Sequence, residues 1–449
     1  MSANDKERAK GLRSRRAAKL TGRLTPPGDK SISHRALMLA VLAAGRTQID
    51  GLLESDDVTA TANALRAFGA AIERTGSGRF VVRGCGVHGL AQPGDVIDMG
   101  NSGTGARLLA GLAAAHPFAT HLTGDASLRR RPMGRIMDPL AAMGAQFIGA
   151  GNRLPMTIIG AEPLLSIDYE VPVPSAQVKS AVLLAALHAK GISTVVEAVP
   201  TRDHTETMLR HFGAEIEVAQ AKGGGRRIEI TGAGELIAAD LRVPGDASSA
   251  AFAAAAAAIV PGSRVEIAGV GTNPLRAGFY RTLEEMGADL AWAGARAQGG
   301  EPVADLTVTG GGLRGVEVPA SRAASMIDEY PILAMVAACA EGPTTMHGVG
   351  ELRVKESDRL AGLVAGLAAC GVEIEAGDES LVVHGTGTPP RGGAEIATEL
   401  DHRIAMSFLV LGLATDEPVT IDNARPIATS YPEFVTDMTA LGADISPAD

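Results

Sequence analysis

The sequence predicts an α/β protein of two similar domains, each built from three repeats. A helical stretch that ends in a glycine and is followed by a β-rich run recurs six times along the 449 residues. The tripeptide Pro-Gly-Asp precedes a helical stretch at Pro27 and again, three repeats later, at Pro244. We therefore expect two domains with a cleft between them, whereas a single continuous repeat array is the alternative.

Each repeat contains two recognisable elements. The first is a helix that ends at a glycine, because glycine most readily adopts the left-handed conformation of a helix C-cap. A strand in which apolar and polar residues alternate follows this helix. The closing glycines recur at similar intervals along the chain: Gly69, Gly144, Gly213, Gly287, Gly371 and Gly442. The second element is an Ala/Leu-rich helix before a Thr/Val/Ile strand, with its helices at residues 33–44, 104–115, 175–190, 248–260, 327–340 and 402–414.

Composition excludes several classes of protein. The formal net charge is −10 and aromatic residues make up only 3%, which argues against a nucleic-acid partner. The three cysteines form no CxxC pair, so neither a disulfide framework nor a thiolate metal site is expected, as is typical of a reducing compartment. The longest apolar stretch, residues 250–260, is shorter than the roughly 20 residues that cross a bilayer. We expect no membrane association.

The Pro-Gly-Asp positions also set the predicted domain boundaries. One domain is expected over residues 28–243, and the other combines residues 20–27 with residues 244–449. Residues 1–19 are rich in lysine and arginine but contain no apolar core, so they do not form a secretory signal. They predict a solvated, flexible basic extension, with a transit peptide as the alternative.

Cations recur where helices are expected to begin, although the positive end of a helix dipole disfavours them there. Such a pattern in an acidic protein is explained if the helix starts converge on an anion, because backbone N–H groups and cations then act together. The cations concerned are Lys30, Arg35, Arg130, Arg131, Lys179, Arg202, His204, Lys355, Arg359, His402 and Arg403.

Common cofactor motifs are absent from the sequence. Asp29 interrupts the Gly-Lys step that a nucleotide P-loop requires before Ser31. No HExxH zinc motif is present, and no GxGxxG dinucleotide motif follows a strand. We therefore expect neither a metal ion nor a cofactor.

Six motifs resemble those of the 5-enolpyruvylshikimate-3-phosphate synthase family. They are residues 27–35 (PGDKSISHR), 100–104 (GNSGT), 131–135 (RPMGR), 175–177 (SAQ), 353–359 (RVKESDR) and 401–403 (DHR). Residues 202–206 (RDHTE) are similar to the class II, bacterial-type branch. The resemblance runs from about Leu20 to the C-terminus. It implies an inside-out α/β barrel of two domains, each of three βαβαββ units, with the active site in the interdomain cleft.

The resemblance also implies an activity. Members of this family transfer the enolpyruvyl group of phosphoenolpyruvate to the 5-hydroxyl of shikimate 3-phosphate and release phosphate through a tetrahedral intermediate. The reaction belongs to the shikimate pathway, which leads to chorismate and the aromatic amino acids. The expected protein is a cytoplasmic, monomeric enzyme whose partners are its two small-molecule substrates.

The resemblance assigns residues to both substrates. Residues expected to bind shikimate 3-phosphate are Lys30, Ser31, Arg35, Ser175, Ala176, Gln177, Arg202, Asp328 and Lys355. Residues expected to bind phosphoenolpyruvate are Lys30, Gly103, Arg131, Gln177, Arg359 and Arg403. Arginine suits this task because its planar fork pairs bidentately with carboxylate or phosphate.

Three residues are expected to be catalytic by the same resemblance. Asp328 matches the carboxylate beside the attacking hydroxyl, and Glu356 matches the carboxylate near the methylene carbon, with Lys30 as a proton partner. The sequence leaves two other interpretations open: Asp328 as a helix N-cap and Glu356 as a first-turn partner of a helix dipole.

Some positions depart from the family pattern. Thr429 and Ser430 stand where many relatives have a lysine, a loss shared by class II members, and Leu275 replaces a threonine usual in class II. Gly103 is not the alanine associated with glyphosate tolerance, so we expect inhibition by glyphosate.

Two alternative functions fit the sequence less well. A UDP-N-acetylglucosamine enolpyruvyl transferase should have Lys-Asn near its start and a loop cysteine, whereas Ser31 follows Lys30 here. A non-catalytic or RNA-end-processing protein of related fold is disfavoured by the acidic balance and by the presence of every expected catalytic residue.

Overall fold

The computed structural model describes residues 11–448, which fold into a mixed α/β protein. The strands, in chain order, are β1 Leu12–Arg15, β2 Thr21–Leu24, β3 Ala43–Asp50, β4 Ala71–Gly76, β5 Arg79–Cys85, β6 Ile97–Asp98, β7 Ala119–Thr123, β8 Gln146–Gly149, β9 Met156–Ile159, β10 Asp168–Glu170, β11 Ile192–Glu197, β12 Ile216–Gln220, β13 Arg226–Thr231, β14 Leu236–Ile237, β15 Leu241–Arg242, β16 Arg264–Gly271, β17 Asp289–Gln298, β18 Glu301–Thr309, β19 Glu317–Val318, β20 Glu341–His347, β21 Glu373–Ala376, β22 Ser380–Thr386, β23 Glu395–Ile396, β24 Val419–Ile421 and β25 Asp444–Pro447.

The helices lie between these strands. They are α1 Lys30–Leu42, α2 Asp56–Ala67, α3 Gly103–Ala114, α4 Ala126–Arg130, α5 Gly134–Ala142, α6 Ala176–Ala186, α7 His204–His211, α8 Ala247–Ile259, α9 Gly278–Glu285, α10 Ala323–Met326, α11 Tyr330–Ala338, α12 Arg359–Ala369, α13 His402–Leu411 and α14 Phe434–Ala440. Short 3-10 helices span Ala320–Arg322, Gly350–Val354 and Arg425–Thr429. Among residues 11–448, no helix combines the length and apolar character that a membrane span requires.

The chain divides into two compact units. The central unit comprises Gly28–Pro244 and Ala297–Glu301. The terminal unit comprises residues 11–27, Gly245–Arg296 and residues 302–448 within the described part of the chain. The main division points lie at or within one residue of those expected from Pro-Gly-Asp. No sequence pattern indicated that the segment Ala297–Glu301, which includes the turn between β17 and β18, joins the central unit.

Six sheets are present in the described residues, three in each unit. Those of the central unit have the strand orders β14-β3-β5-β4, β6-β7-β9-β8 and β10-β11-β13-β12, and β15 also pairs with β3. Those of the terminal unit have the orders β17-β18-β16-β2, β19-β20-β22-β21 and β23-β24-β1-β25. In each sheet the first two strands of the repeat are parallel. The other pairs with a defined register are antiparallel. The predicted pair of three-repeat βαβαββ domains is therefore confirmed.

The predicted helix ends are also confirmed. All six closing glycines have positive φ, between 82° at Gly213 and 113° at Gly144. A side chain in this conformation would be strained, so glycine ends each helix at low cost. Each unit has its own apolar core, and helices α1 and α8 are buried along almost their whole length.

The strands of two repeats are not contiguous in sequence. β2 pairs in parallel with β16, so residues 21–24 supply the first strand of the repeat that continues at Gly245. In the central unit, β14 and β15 pair in parallel with β3, although the strands and helices of two further repeats separate them from it in the sequence. The expected domain that combines residues 20–27 with the second half of the chain reflects this exchange.

The expectation of a flexible extension over residues 1–19 is wrong for part of that range. Leu12–Arg15 forms strand β1, which pairs antiparallel with both β24 and β25. Without β1 the sixth repeat would lack its fourth strand, and the edges of β24 and β25 would be left unpaired. The basic side chains concealed this strand because Ser14, rather than an apolar residue, is its buried position. Residues 1–10 lie outside the described residues.

Candidate active site

The central unit brings the N-termini of α1, α6 and α7 together around Arg35. Its guanidinium donates from Nε to Thr205 Oγ1 at 2.7 Å, from Nη2 to Ser180 Oγ at 2.7 Å and from Nη1 to the Ser31 carbonyl at 2.8 Å. Arg35 is only 2% exposed. It therefore joins helices from two repeats, in addition to any contact with substrate.

Charged groups of both signs surround Arg35. Burial lowers the pKa of Arg35 to about 10; the carboxylates of Asp29, Glu206 and Glu301 oppose this shift, and the charge of Arg202 adds to it. Two predicted ligands of shikimate 3-phosphate, Arg35 and Arg202, thus lie close enough to repel each other. An anion bound there would relieve that repulsion.

Lys30 is the first residue of α1, which begins three residues before the start expected from the sequence. Its Nζ lies 3.2 Å from Asp57 Oδ2, and the lysine side chain is 14% exposed. The carboxylate of Asp29 caps the same helix by accepting from the amide of Ile32 at 2.9 Å. Lys30 and Ser31 are therefore held at the tip of a rigid, capped helix.

Gln177 is fixed at both ends of its side-chain amide. Its Nε2 donates to Thr104 Oγ1 at 2.9 Å, and its Oε1 accepts from Arg107 Nη1 at 2.8 Å. Ser175 caps α6 through the amide of Val178, and Ala176 is the first residue of that helix. The start of α6 thereby contacts the first turns of α3.

Gly103 and Arg131 adjoin each other in the central unit. Arg131 is 6% exposed and donates to Asn101 Oδ1 at 2.6 Å and to Ser127 Oγ at 3.2 Å. A Cβ atom at Gly103 would lie 2.7 Å from Arg131 Nη1 and 3.3 Å from Arg107 Nη1. The absence of a side chain at Gly103 leaves room for both guanidinium groups.

Two of the cations singled out at helix starts do not belong to this arrangement. Arg130 is exposed at the end of α4. Lys179 is fully buried and ion-paired, with Nζ 2.8 Å from Glu197 Oε2 and 2.8 Å from Glu206 Oε1. Burial raises the pKa of Glu206, against the opposing effect of Lys179. The expectation that Lys179 belongs to the anion site is therefore wrong, because its side chain points into the protein interior.

In the terminal unit, Arg359 joins three carboxylates. Its Nε lies 2.7 Å from Asp401 Oδ2, its Nη1 lies 3.4 Å from Asp328 Oδ1, and its Nη2 donates to Glu356. Burial lowers the pKa of Arg359, but the three carboxylates outweigh it and raise that pKa above its usual value. The two expected catalytic carboxylates are thus held on either side of one buried cation.

Arg403 contacts the same segment. Its Nη1 donates to the backbone carbonyl of Asp328 at 3.1 Å, and its Nε lies 3.9 Å from Asp328 Oδ1. Lys355 is partly exposed and follows the 3-10 helix Gly350–Val354. The terminal unit therefore places Asp328, Lys355, Glu356, Arg359 and Arg403 in or beside one cluster.

Asp328 does not act as a helix N-cap and Glu356 does not lie in the first turn of a helix, which were the two alternative interpretations of these carboxylates. Asp328 is not an N-cap, since Glu329 precedes α11 and no side chain caps that helix. Glu356 lies before Asp358, which caps α12. Their shared contact is Arg359.

Several residues of these clusters were not assigned from the sequence. Asp401 caps α13 and accepts from both Arg359 and Ser357. Asn101 and Thr104 lie within a recognised motif, and Arg107 lies one helical turn beyond Thr104 on α3. That spacing of three on a helix was the available signal.

Among residues 11–448, a single group of side chains could hold a metal ion, and it lies on an exposed sheet face. It consists of Glu373 and Glu375 of β21 with His384 of β22, whose ligand atoms lie within 4.8 Å of one another. His384 is already hydrogen-bonded to Glu375 at 3.0 Å. Neither of the two clusters described above includes these residues.

The structure has the two-domain fold of the enolpyruvyl transferases. The structure is similar to an EPSP synthase from Acinetobacter baumannii, with TM-score 0.86, 42% identity and coverage of 98% of this chain and 100% of that one. It shares its fold with the enolpyruvyl transferase NikO from Streptomyces tendae, with TM-score 0.78, 21% identity and coverage of 98% and 100%.

Sequence comparison gives the family. Residues 14–438 match the family described as EPSP synthase (3-phosphoshikimate 1-carboxyvinyltransferase). A 3-phosphoshikimate 1-carboxyvinyltransferase of Rhodospirillum rubrum is 60% identical over 440 residues, 97% of this chain and 98% of that protein. The chain belongs to the EPSP synthase family and is a transferase of the shikimate pathway. The family predicted from the motifs is confirmed, and neither alternative function is supported.

Proposed function

We propose that the protein transfers the enolpyruvyl group of phosphoenolpyruvate to the 5-hydroxyl of shikimate 3-phosphate and releases phosphate. The observation that carries this proposal is the contact of Arg359 with both Asp328 and Glu356. A cation between two carboxylates provides one group to bind an anionic substrate and two groups to move protons, which are the requirements of this reaction.

The residues of the central unit support binding of shikimate 3-phosphate. Lys30, Ser31, Arg35, Ser175, Ala176, Gln177 and Arg202 would hold this substrate, together with Asp328 and Lys355 of the terminal unit. Within the central unit these residues lie at the starts of α1, α6 and α7, which contact one another through Arg35. Backbone N–H groups at helix starts, together with cations, suit a phosphate and a carboxylate.

Phosphoenolpyruvate would be held by a second set of cations. In the central unit it would contact Lys30, Gly103, Arg131 and Gln177, of which Arg131 borders the space left by Gly103. In the terminal unit it would contact Arg359 and Arg403, which already lie beside Asp328. Two buried guanidinium groups can pair with its carboxylate and phosphate.

The chemistry requires addition and then elimination. In the addition, Asp328 takes the proton of the 5-hydroxyl, and the oxygen of that hydroxyl bonds to C2 of phosphoenolpyruvate. Glu356 with Lys30 delivers a proton to the methylene carbon. In the elimination, Glu356 takes a proton from the new methyl group, the double bond re-forms, and the bond from C2 to the phosphate oxygen breaks, so that phosphate leaves. Arg359 fixes both carboxylates for these steps.

Three finer assignments complete the proposal. The enzyme is of the class II type, which the segment 202–206 supports. It acts in the cytoplasm, in accord with cysteine spacing that favours no disulfide framework. It works as a monomer, as expected from the family resemblance.

Phosphate release tests the function. Purified enzyme with both substrates should release phosphate and form the enolpyruvyl product, identified by its mass, whereas UDP-N-acetylglucosamine in place of shikimate 3-phosphate should yield none. Asp328→Asn should lower kcat about 10³-fold, because it removes the proton acceptor. Asp378→Asn, an exposed carboxylate of the same repeat, should retain full activity. No phosphate release by the unaltered protein would contradict the proposal.

A further inference from the structure

The loop between β11 and α7 presents Arg202, and the residue before it is held unusually firmly. Thr201 is 4% exposed. Its amide lies 3.4 Å from Glu197 Oε2, its hydroxyl donates to Glu197 Oε1, and its carbonyl accepts from Lys179 Nζ at 3.2 Å. All three polar groups of Thr201 therefore contact one buried ion cluster.

That cluster consists of Lys179, Glu197 and Glu206, which come from α6, β11 and α7 respectively. Their side chains are at most 1% exposed. Buried ion pairs contribute little net stability, because the loss of hydration offsets the attraction between the charges. The role of such a cluster is therefore better sought in the geometry it imposes than in the stability it adds.

The geometry concerns the peptide that joins Thr201 to Arg202. Because the Thr201 carbonyl belongs to this planar peptide, its bond to Lys179 fixes the plane from which the Arg202 side chain departs. The charge of Arg202 already contributes to the lowered pKa of Arg35, after the larger effect of burial, so two like charges are held close together. A loop without such anchors could turn Arg202 away and relieve the repulsion.

We propose that Lys179 and Glu197 are positioning residues that hold Thr201 and thereby direct Arg202 toward the bound shikimate 3-phosphate. The inference rests on the role given to Arg202 under the proposed function. It gives a role to Lys179, whose contacts described above are with Glu197, Glu206 and the Thr201 carbonyl. None of these three residues is expected to bind phosphoenolpyruvate. It predicts a defect confined to one substrate.

Four single variants test the proposal. Thr201→Val removes the hydroxyl with little change of shape, Thr201→Ser restores it, and Arg202→Ala removes the directed cation. Ser193→Ala is the matched control, because it deletes another buried hydroxyl of the same repeat, one that accepts from the amide of Ile167 at 3.2 Å. For each variant, the Kd for shikimate 3-phosphate is measured by calorimetry, and kcat and both KM values are measured by phosphate release.

We expect Thr201→Val to weaken shikimate 3-phosphate binding about tenfold, while KM for phosphoenolpyruvate and kcat change less than about twofold. Thr201→Ser should bind like the unaltered protein. Ser193→Ala should lower the unfolding temperature without changing either KM. Should Thr201→Val fail to fold, Thr201→Ala also deletes the hydroxyl and is judged by the same measurements.

The double variant Thr201→Val with Arg202→Ala separates positioning from general damage. If Thr201 acts through Arg202, its replacement has no further effect on Kd once Arg202 is alanine. Additive losses, or equal losses for both substrates, would overturn the inference while leaving the proposed function intact. If Arg202→Ala itself leaves the Kd unchanged, the role of Arg202 is wrong and the inference is overturned with it.

Discussion

Arg131 occupies the space that a side chain at Gly103 would need. A Cβ atom at Gly103 would lie 2.7 Å from Arg131 Nη1, closer than real Cβ contacts approach. The side chain of Arg131 is restrained, because it is buried and hydrogen-bonded to Asn101 and Ser127. A methyl group at Gly103 must therefore displace a bonded guanidinium group.

Gly103→Ala should raise KM for phosphoenolpyruvate about 10- to 100-fold, because it shifts Arg131 from its bonded position. We expect glyphosate to inhibit the unaltered enzyme in competition with phosphoenolpyruvate and to inhibit this variant much less. Initial rates at varied phosphoenolpyruvate and glyphosate measure both effects. Gly94→Ala is the control, since a Cβ there has no neighbour within 4 Å. An unchanged KM in Gly103→Ala would contradict the assignment of Arg131 to this substrate.

Lys30→Met should lower kcat about 10³-fold, because it removes the cation at the start of α1 that is expected to assist proton transfer. Met preserves the length of the side chain, so the fold should be retained. Single-turnover phosphate release and circular dichroism measure the two properties. Lys190→Met, at an exposed position of the same unit, should leave kcat unaltered. Residual activity within tenfold of the original would remove Lys30 from the catalytic group.

Arg35→Ala should destabilise the central unit by about 3 kcal/mol, in addition to weakening shikimate 3-phosphate binding. The variant loses the three hydrogen bonds that Arg35 donates to Ser180, Thr205 and the Ser31 carbonyl, and the two hydroxyls keep only their bond to each other. Urea unfolding monitored by circular dichroism gives the free energy of unfolding. A loss of binding with no loss of stability would show that Arg35 acts on the substrate alone.

The stability of the protein should fall as pH falls below about 6.5. Burial, aided by the charges of neighbouring histidines, lowers the pKa of His188 to about 2, and burial also lowers the pKa of His116. Both rings therefore bind fewer protons in the folded state than in the unfolded state. As a result, the free energy of unfolding is unaffected by these rings above about pH 6.5 and falls as the pH is lowered below it. For His188, the loss should be about 1.3 kcal/mol at pH 5.5 relative to pH 7.

Urea unfolding of His188→Leu between pH 7.5 and pH 5 checks this expectation. The variant should lose stability less steeply with falling pH, because one of the buried rings that titrate is gone. His121→Gln, on an exposed strand position, should show the slope of the unaltered protein. An identical slope in His188→Leu would show that its ring does not drive the acid sensitivity.

Features that depend on local periodicity could be read from the sequence. The closing glycines, such as Gly144, were predictable because a left-handed cap needs no information from elsewhere in the fold. Helices of the second element were predictable from their Ala/Leu-rich runs: α13 begins at His402, as expected, and α8 begins at Ala247, one residue before the expected start.

Features that depend on distant partners could not be read in this way. Nothing local marks Leu12–Arg15 as a strand, because its partners β24 and β25 lie near the opposite end of the chain. Lys179 looked like a surface or site cation because its two carboxylate partners, Glu197 and Glu206, belong to other elements. The contact of Arg107 with Gln177 likewise joins two repeats.

The pairing of β1 with β24 and β25 has a consequence for how the chain folds as it is made. As the chain is synthesised, β1 must wait for β24 and β25 before it finds its neighbours, and β2 must wait for β16. Almost all of the central unit, by contrast, has been synthesised by Pro244. Its three sheets can therefore assemble while the terminal unit is still incomplete, so β1 and β2 reach their native positions later than central-unit strands that are synthesised after them.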